Sequence, residues 1–520
     1  MKKLLCVLLC AVLLMGVLVS CNKKVPDAGN DGGESQQQTP AGDDQLNDSE
    51  SGSDKAPADS ETNKKPVETE TRKDLVVEDF SQGGVARDFN MMVRPSRYHY
   101  LWVEKDSAEQ LAHGVYLRNT RLENDYGIKI KIYEPPIPAG ANASQPAAFV
   151  NALSSSTGEF DISVPDYWWL LEHQGFFMNL YDREELGFNK GALNQDYWYT
   201  SWNSNTTINE KLYTVVGDAA LEVLENIEVI YYNKGLTDYA EGGIDMYALV
   251  DDHAWTLDEM NRIGKLFATG SETATDTTDD IYGVMYDTHS MQSQMFAAGI
   301  KLTEINDQGG ISLVAKSRGV NSLIHDKLKS VIQDSANKFN NTTARSDVSN
   351  KTNLFINDQA VFYANCLYVG SQITKKAANG FEFGILPQPL YAEGEDYIST
   401  AYGMSVFGIP KSSVDPHFSA VVLDAMNFHS EDTVVSAFFN QTMNTQLASG
   451  SEDARMLDLA RNSLYFDFSW ILQIGGKMTV HSAFYTTIAS KDKELASALD
   501  SALEVSVPGL GEIMMFYNQD

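Results

Sequence analysis

Cysteine is scarce in this chain. Of the four residues, Cys6 and Cys10 lie in an apolar leader, which leaves only Cys21 and Cys366 beyond it. A globular body with Cys366 alone can form no internal disulfide, so its core must hold it together. Cys366 sits in an apolar run and reads as a small buried hydrophobe. Positive charge is also thin, with 39 Lys and Arg against 71 Asp and Glu, and it forms no cluster. That excludes nucleic acid as a partner, because phosphate binding needs clustered cations. None of the nine histidines forms a His-x-x-x-His pair, so a zinc site has no support. Asp276, Asp279 and Asp280 lack the spacing of a calcium loop. Gly403-Met404-Ser405-Val406-Phe407 stops short of a nucleophile elbow, and no phosphate loop occurs. These absences leave no expected catalytic residue, metal or cofactor.

Lys2 and Lys3 precede an uncharged apolar run, Leu4 to Val19. Sixteen residues are short for a spanning helix, which needs about 20, and the flanks are those of a secretory signal. The run ends in Leu18-Val19-Ser20-Cys21, which resembles the lipobox of bacterial lipoproteins. The resemblance implies that 1–20 is removed and that Cys21 carries the acyl chains, palmitate among them. Each buried methylene would contribute about 0.8 kcal/mol to anchoring. The expected location is the outer face of the cell membrane. Residues 21–74 are rich in Ser, Gly, Asp, Gln and Pro, with thirteen acids and seven bases. Such a stretch cannot bury enough apolar surface to order itself, so it reads as a linker with a reach of roughly 40 Å.

The body is too long for one core, because cores stop growing beyond roughly 250–300 residues. Short apolar runs alternate with helical patterns: a strand at 89–93, a helix over 107–126, and alternating Ile128, Ile130 and Ile132. A helix over about 146–156 and a strand at 160–164 follow. Strand, helix, strand, helix, strand predicts parallel α/β units.

Several segments, read in order, resemble the carbohydrate-type (family 1) extracellular solute-binding proteins of ABC importers. They are Gly114 to Ile128, Phe160-Asp161-Ile162 with Gly175 and Leu180, Lys211 to Gly217, and Val229-Ile230-Tyr231-Tyr232-Asn233-Lys234. Trp255-Thr256-Leu257-Asp258-Glu259-Met260, Phe383 to Pro389 and Gly403 to Pro410 continue the series. Ala254 replaces the usual proline before Trp255, and the C-terminal 90 residues match poorly. The resemblance implies a type II periplasmic-binding-protein-like α/β fold. Its first lobe would take 75–222 and 381–430, and its second 223–380 and 431–520. Crossings are expected near 217–228, 378–386 and 430.

Sugars present flat C–H faces and many hydroxyls, so their sites pair aromatic rings with carboxylates. The loop Asp166-Tyr167-Trp168-Trp169 has this composition at a strand's carboxyl end, where open α/β sheets bind ligands. Asp166 and Tyr167 are expected to be exposed, whereas Trp168 and Trp169 could equally start a helix and pack inward. Asp218 after the hinge glycine, Tyr286 and Asp287 after a strand, Tyr368 and Tyr402 complete the candidates. Trp198 and Trp202 suit core packing at least as well as the cleft. Arg97, Tyr98 and Trp102 are weaker candidates.

The expected function is capture of a small solute, a mono- or oligosaccharide, by a monomer that delivers it to an ABC permease without chemistry. Two alternatives stand beside it: a secreted glycan hydrolase, which would need paired carboxylates across the cleft, and a sensor lipoprotein of the same fold.

Overall fold

The computed structural model describes residues 75–94, 97–136, 147–169, 174–181, 186, 192–238, 243–269, 280–340, 345–377, 380–439, 451–471 and 477–518. The leader, Cys21 and the linker through residue 74 lie outside the described residues, as do Asp276 and Asp279. The strands are β1 (Arg87–Val93), β2 (Ile128–Tyr133), β3 (Ile162–Val164), β4 (Glu228–Asn233), β5 (Tyr282–Asp287), β6 (Thr303–Ile305), β7 (Ile311–Leu313), β8 (Lys338–Asn340), β9 (Ala360–Cys366) and β10 (Phe383–Leu386).

The first sheet has the order β2-β1-β3, and both pairings are parallel, as the alternating segments predict. In β2, Ile128 and Ile130 point into the core while Lys129 and Lys131 face out. The helix Gln110–Asp125 connects β1 to β2. It starts where the Glu109 carboxylate accepts from the Leu111 and Ala112 amides, at 3.2 and 2.6 Å. Such a cap satisfies amides that have no partner within the helix. Gly127 then turns the chain at φ +60°, and a Cβ there would strike Asp79 and Ser81 of the segment crossing below. The stretch 405–410 runs antiparallel along β3 and Val215, through bridges at Asp166–Ser405, Ser163–Gly408 and Val215–Phe407.

Behind that stretch Gly217 is packed without room for a side chain. A Cβ would lie 2.4 Å from Asn427 Oδ1 and 2.7 Å from the Tyr197 carbonyl oxygen. Gly217→Ala is therefore expected to destabilise by about 1–3 kcal/mol through overpacking, read as a lowered urea midpoint.

The second sheet has the order β10-β4-β9-β5-β8. Strand β4 is antiparallel to both neighbours, while β5 is parallel to β9 and β8. One face, with Tyr231, Tyr363 and Phe383, packs on Phe355. The other, with Ile230, Tyr232, Val284 and Tyr286, packs on Trp255, Phe296 and Trp470. Thr256 Oγ1 caps the helix Leu257–Phe267, accepting from the Glu259 amide at 3.2 Å. Glu259 binds Arg262 instead of completing a capping box.

Three expected boundaries move. β10 was expected with the first lobe, but it pairs with β4. The return crossing is instead at 400–402, where Glu228 N donates to Thr400 O at 2.9 Å and Tyr402 N to Asn226 O at 3.0 Å. The segments 226–228 and 400–402 thus form a short antiparallel pair between the two sheets, with a bridge at Ile227–Ala401. The helix Pro416–Ser430 continues as a π-helical turn, Glu431–Val435, and both pack on Gln110–Asp125, so the chain is still in the first lobe there. The last helix, Leu495–Tyr517, begins in the second lobe's core but ends against the first, where Tyr517 Oη donates to Gln174 Oε1 at 2.7 Å.

Candidate functional site

The carboxyl ends of both sheets meet beside the crossing pair. From the first sheet, β1 delivers Arg94 and β3 delivers Asp166. The guanidinium of Arg94 bridges the Asp166 and Glu222 carboxylates, Glu222 lying on the helix Leu221–Glu225 before the crossing. Arg97 Nε stands 3.3 Å from Glu222 Oε1, and Ser405 Oγ donates to Glu222 Oε2 at 2.8 Å. Burial opposes the charge on Arg94, and Glu222 counters that effect. Beyond Arg97, Tyr100 Oη donates to Glu225 at 2.6 Å, and burial raises the Glu225 carboxyl.

From the second sheet, Asp287 ends β5 and caps the helix Thr288–Ala297, accepting from Ser290 N at 2.9 Å. Its other oxygen accepts from Asn365 Nδ2 at 3.2 Å. Glu228 opens β4 next to Cys366 of β9. It is 2% exposed, and its Oε2 meets no donor among the described residues. Burial, with Asp287 adding to it, holds the Glu228 carboxyl well above its usual range and so favours its neutral form. The Cys366 thiol is raised by the same burial and the same two acids, so it is unreactive.

Aromatic rings join the two walls. Trp168 meets Tyr402 edge-on at 4.9 Å between centroids, and His289 stacks on Tyr402 at 3.6 Å and 24°. Trp470 lies 5.9 Å from Tyr402 and stacks with Phe296 and His481 behind it. Burial lowers the His289 imidazole, keeping it neutral against Tyr402. The arrangement offers aromatic rings, carboxyls and an amide at one place, but no group of three His, Cys, Asp or Glu suited to a metal among the described residues.

The predicted residues do not all come together. Trp168, Tyr402 and Asp287 come together here. Asp166 and Tyr167, expected to be exposed, are buried: the first is held by Arg94 and the second packs in the core. Tyr368 is 52% exposed at the start of the helix Leu367–Lys376. Tyr286 and Asp218 do not reach the site. Tyr286 is fully buried, because β5 has packing on both faces, and its hydroxyl points at Met260 Sδ 4.0 Å away. Asp218 is 1% exposed and bound by Arg461 Nη2, 2.8 Å from each oxygen; burial raises it to about 6. Trp202 is core, with Nε1 on the Thr214 carbonyl at 3.0 Å, and Trp198 is buried against Gly217. The Trp169 side chain lies outside the described residues.

Sequence reading missed His289, Glu222, Glu228 and Trp470. His289 lies two residues beyond Asp287, so the strand end already flagged could have led to it. The two glutamates interrupt an apolar stretch at the crossing, a signal available in sequence. Trp470 lies where the resemblance fails.

No family model matches the chain, and no curated protein matches it in sequence. Solved structures do. The sugar-binding protein MalE from Xanthomonas citri superposes with a TM-score of 0.54 at 13% identity, over 83% of this chain and 100% of that one. The extracellular solute-binding protein from Staphylococcus aureus in complex with maltose gives 0.50 at 11%, over 83% and 99%. UgpB from Mycobacterium tuberculosis in complex with glycerophosphocholine gives 0.50 at 15%, over 84% and 100%. The chain therefore has the two-lobed type II fold of the extracellular solute-binding proteins.

Proposed function

We propose that the protein is the membrane-anchored solute-binding component of an ABC importer, taking a small polyhydroxylated solute, a mono- or oligosaccharide, between its lobes and passing it to the permease. The observation that carries this reading is the meeting of Trp168, Tyr402 and His289 at the carboxyl ends of both sheets, beside a two-segment crossing. Rings and carboxyls on opposite walls can each hold one face of a sugar, so a bound solute favours the closed lobes through its differential affinity. The role is binding without chemistry, at the outer face of the cell membrane. The anchor is the lipidated Cys21 that the lipobox resemblance implies. The fold's solved relatives being solute-binding proteins supports it further.

A thermal-shift series with glucose, galactose, maltose and cellobiose tests this. At least one sugar is expected to raise the melting temperature by mass action and to be recovered intact after denaturation. Trp168→Ala is expected to weaken that sugar about tenfold, the scale of a lost aromatic contact. A sugar recovered cleaved, or a shift undiminished in Trp168→Ala, overturns the reading.

A further inference from the structure

The chain carries 71 Asp and Glu, and many of those in the described residues are exposed while a smaller set is buried. Glu228 and Asp287 are among the buried ones, at 2% and 5% exposure, where β4 begins and β5 ends in the second sheet. Among the described residues neither forms an ion pair, whereas Arg94 and Arg97 are already engaged by Asp166 and Glu222. The wall thus has surplus acid and no surplus cation. Asp287 is partly used by its cap and Asn365, but Glu228 Oε2 meets no donor among the described residues. An unmatched buried carboxyl is costly to leave empty, and rings beside it favour a cation.

We propose that the cleft selects a polyol or sugar bearing a protonated amine, with Glu228 and Asp287 receiving the ammonium and Trp168 and Tyr402 contacting the carbon skeleton. This rests on solute capture as proposed above and narrows it. The groups acting on or beside Glu228 are Asp287 from β5, Cys366 from β9, Tyr231 of its own strand and Tyr402 of the return crossing, with His289 next to Asp287. All are neutral or acidic. When an ammonium arrives, Glu228 ionises: its O–H breaks, the proton leaves to solvent, and the carboxylate accepts from the amine.

The test uses matched probes differing only in amine against hydroxyl: glucosamine with glucose, galactosamine with galactose, and the chitosan dimer with cellobiose. The expected result is tighter binding of an amine member by about tenfold to a hundredfold, the range for a charge-assisted hydrogen bond. Calorimetry in buffers of different ionisation heat should show up to about one proton released per amine bound. Glu228→Gln should bring that amine down to its hydroxyl partner's level, with the unliganded melting temperature little changed because Oε2 has no donor to lose. Neutral members binding as tightly as amines overturns the inference and leaves solute capture standing. Amine binding without proton release, or undiminished in Glu228→Gln, overturns the assignment to Glu228. No binding across the set counts against both readings.

Discussion

Replacing Arg94 with methionine is expected to destabilise the protein by about 3–5 kcal/mol, the scale for stranding buried charges. Methionine fills a similar volume, so the loss is electrical. The side chains of Arg94 and Asp166 are each 10% exposed and that of Glu222 4%, so no solvent can replace the guanidinium. Arg97 reaches only Glu222, and by its Nε at 3.3 Å, so it compensates for one acid and not the other. The measurement is urea unfolding. A control variant carries Arg94→Met with Asp166→Asn and Glu222→Gln, which removes the stranded charges and should recover most of the loss. A single variant as stable as the parent would mean that the three groups are not coupled as their geometry requires. Because the cluster also holds the first sheet's carboxyl end to the crossing segment, solute affinity should fall in the single variant.

The second large effect concerns the pair Asp218–Arg461. Asp218 follows the last first-lobe stretch before the crossing, and Arg461 closes the helix Ser451–Asn462, which packs on β10 of the second sheet. The pair is therefore a charged link between lobes. Arg461→Met leaves Asp218 buried beside Glu431, which already raises its carboxyl. The expected cost is again about 3–5 kcal/mol. The loss should shrink toward acidic pH. Burial raises Asp218 to about 6 even with Arg461 present, and removing the cation raises it further. A folded-state value above the unfolded one of about 3.9 means that folded protein binds the extra proton, so stability rises as pH falls from 7 toward 4. Denaturation of parent and variant at pH 7.5 and 5 reads this. A difference that does not narrow at pH 5 would show that the loss is packing, not charge.

The elements that sequence disclosed best are those with a local cause. The alternation in β2 depends on residues two positions apart, and the strand-helix-strand order that foretells the parallel β1–β2–β3 unit is written in consecutive segments. What sequence could not show were partners chosen from far along the chain. Asp166 and Asp218 looked like free acceptors because their arginines stand 72 and 243 residues away. Tyr286 looked available because a strand buried on both faces has no polar alternation to reveal it. β10 was misplaced for a related reason: its apolar pattern fits either sheet, and only its antiparallel register with β4 decides. Within the site, Trp168, Asp287 and Tyr402 were legible as types of residue at strand ends, while the stacking of His289 on Tyr402 required the third dimension.

The residues nearest the amino end of the described chain are fastened to the first lobe alone. Phe80 lies edge-on to Phe418 at 4.7 Å, Tyr126 Oη donates to the Val76 carbonyl at 2.9 Å, and His417 meets Glu78 at 3.1 Å. Tension arriving along residues 75–80 is therefore spent on the helix Pro416–Ser430 and the turn after Gln110–Asp125, upstream of the crossing strands. Residues of the second sheet take no part in these three contacts.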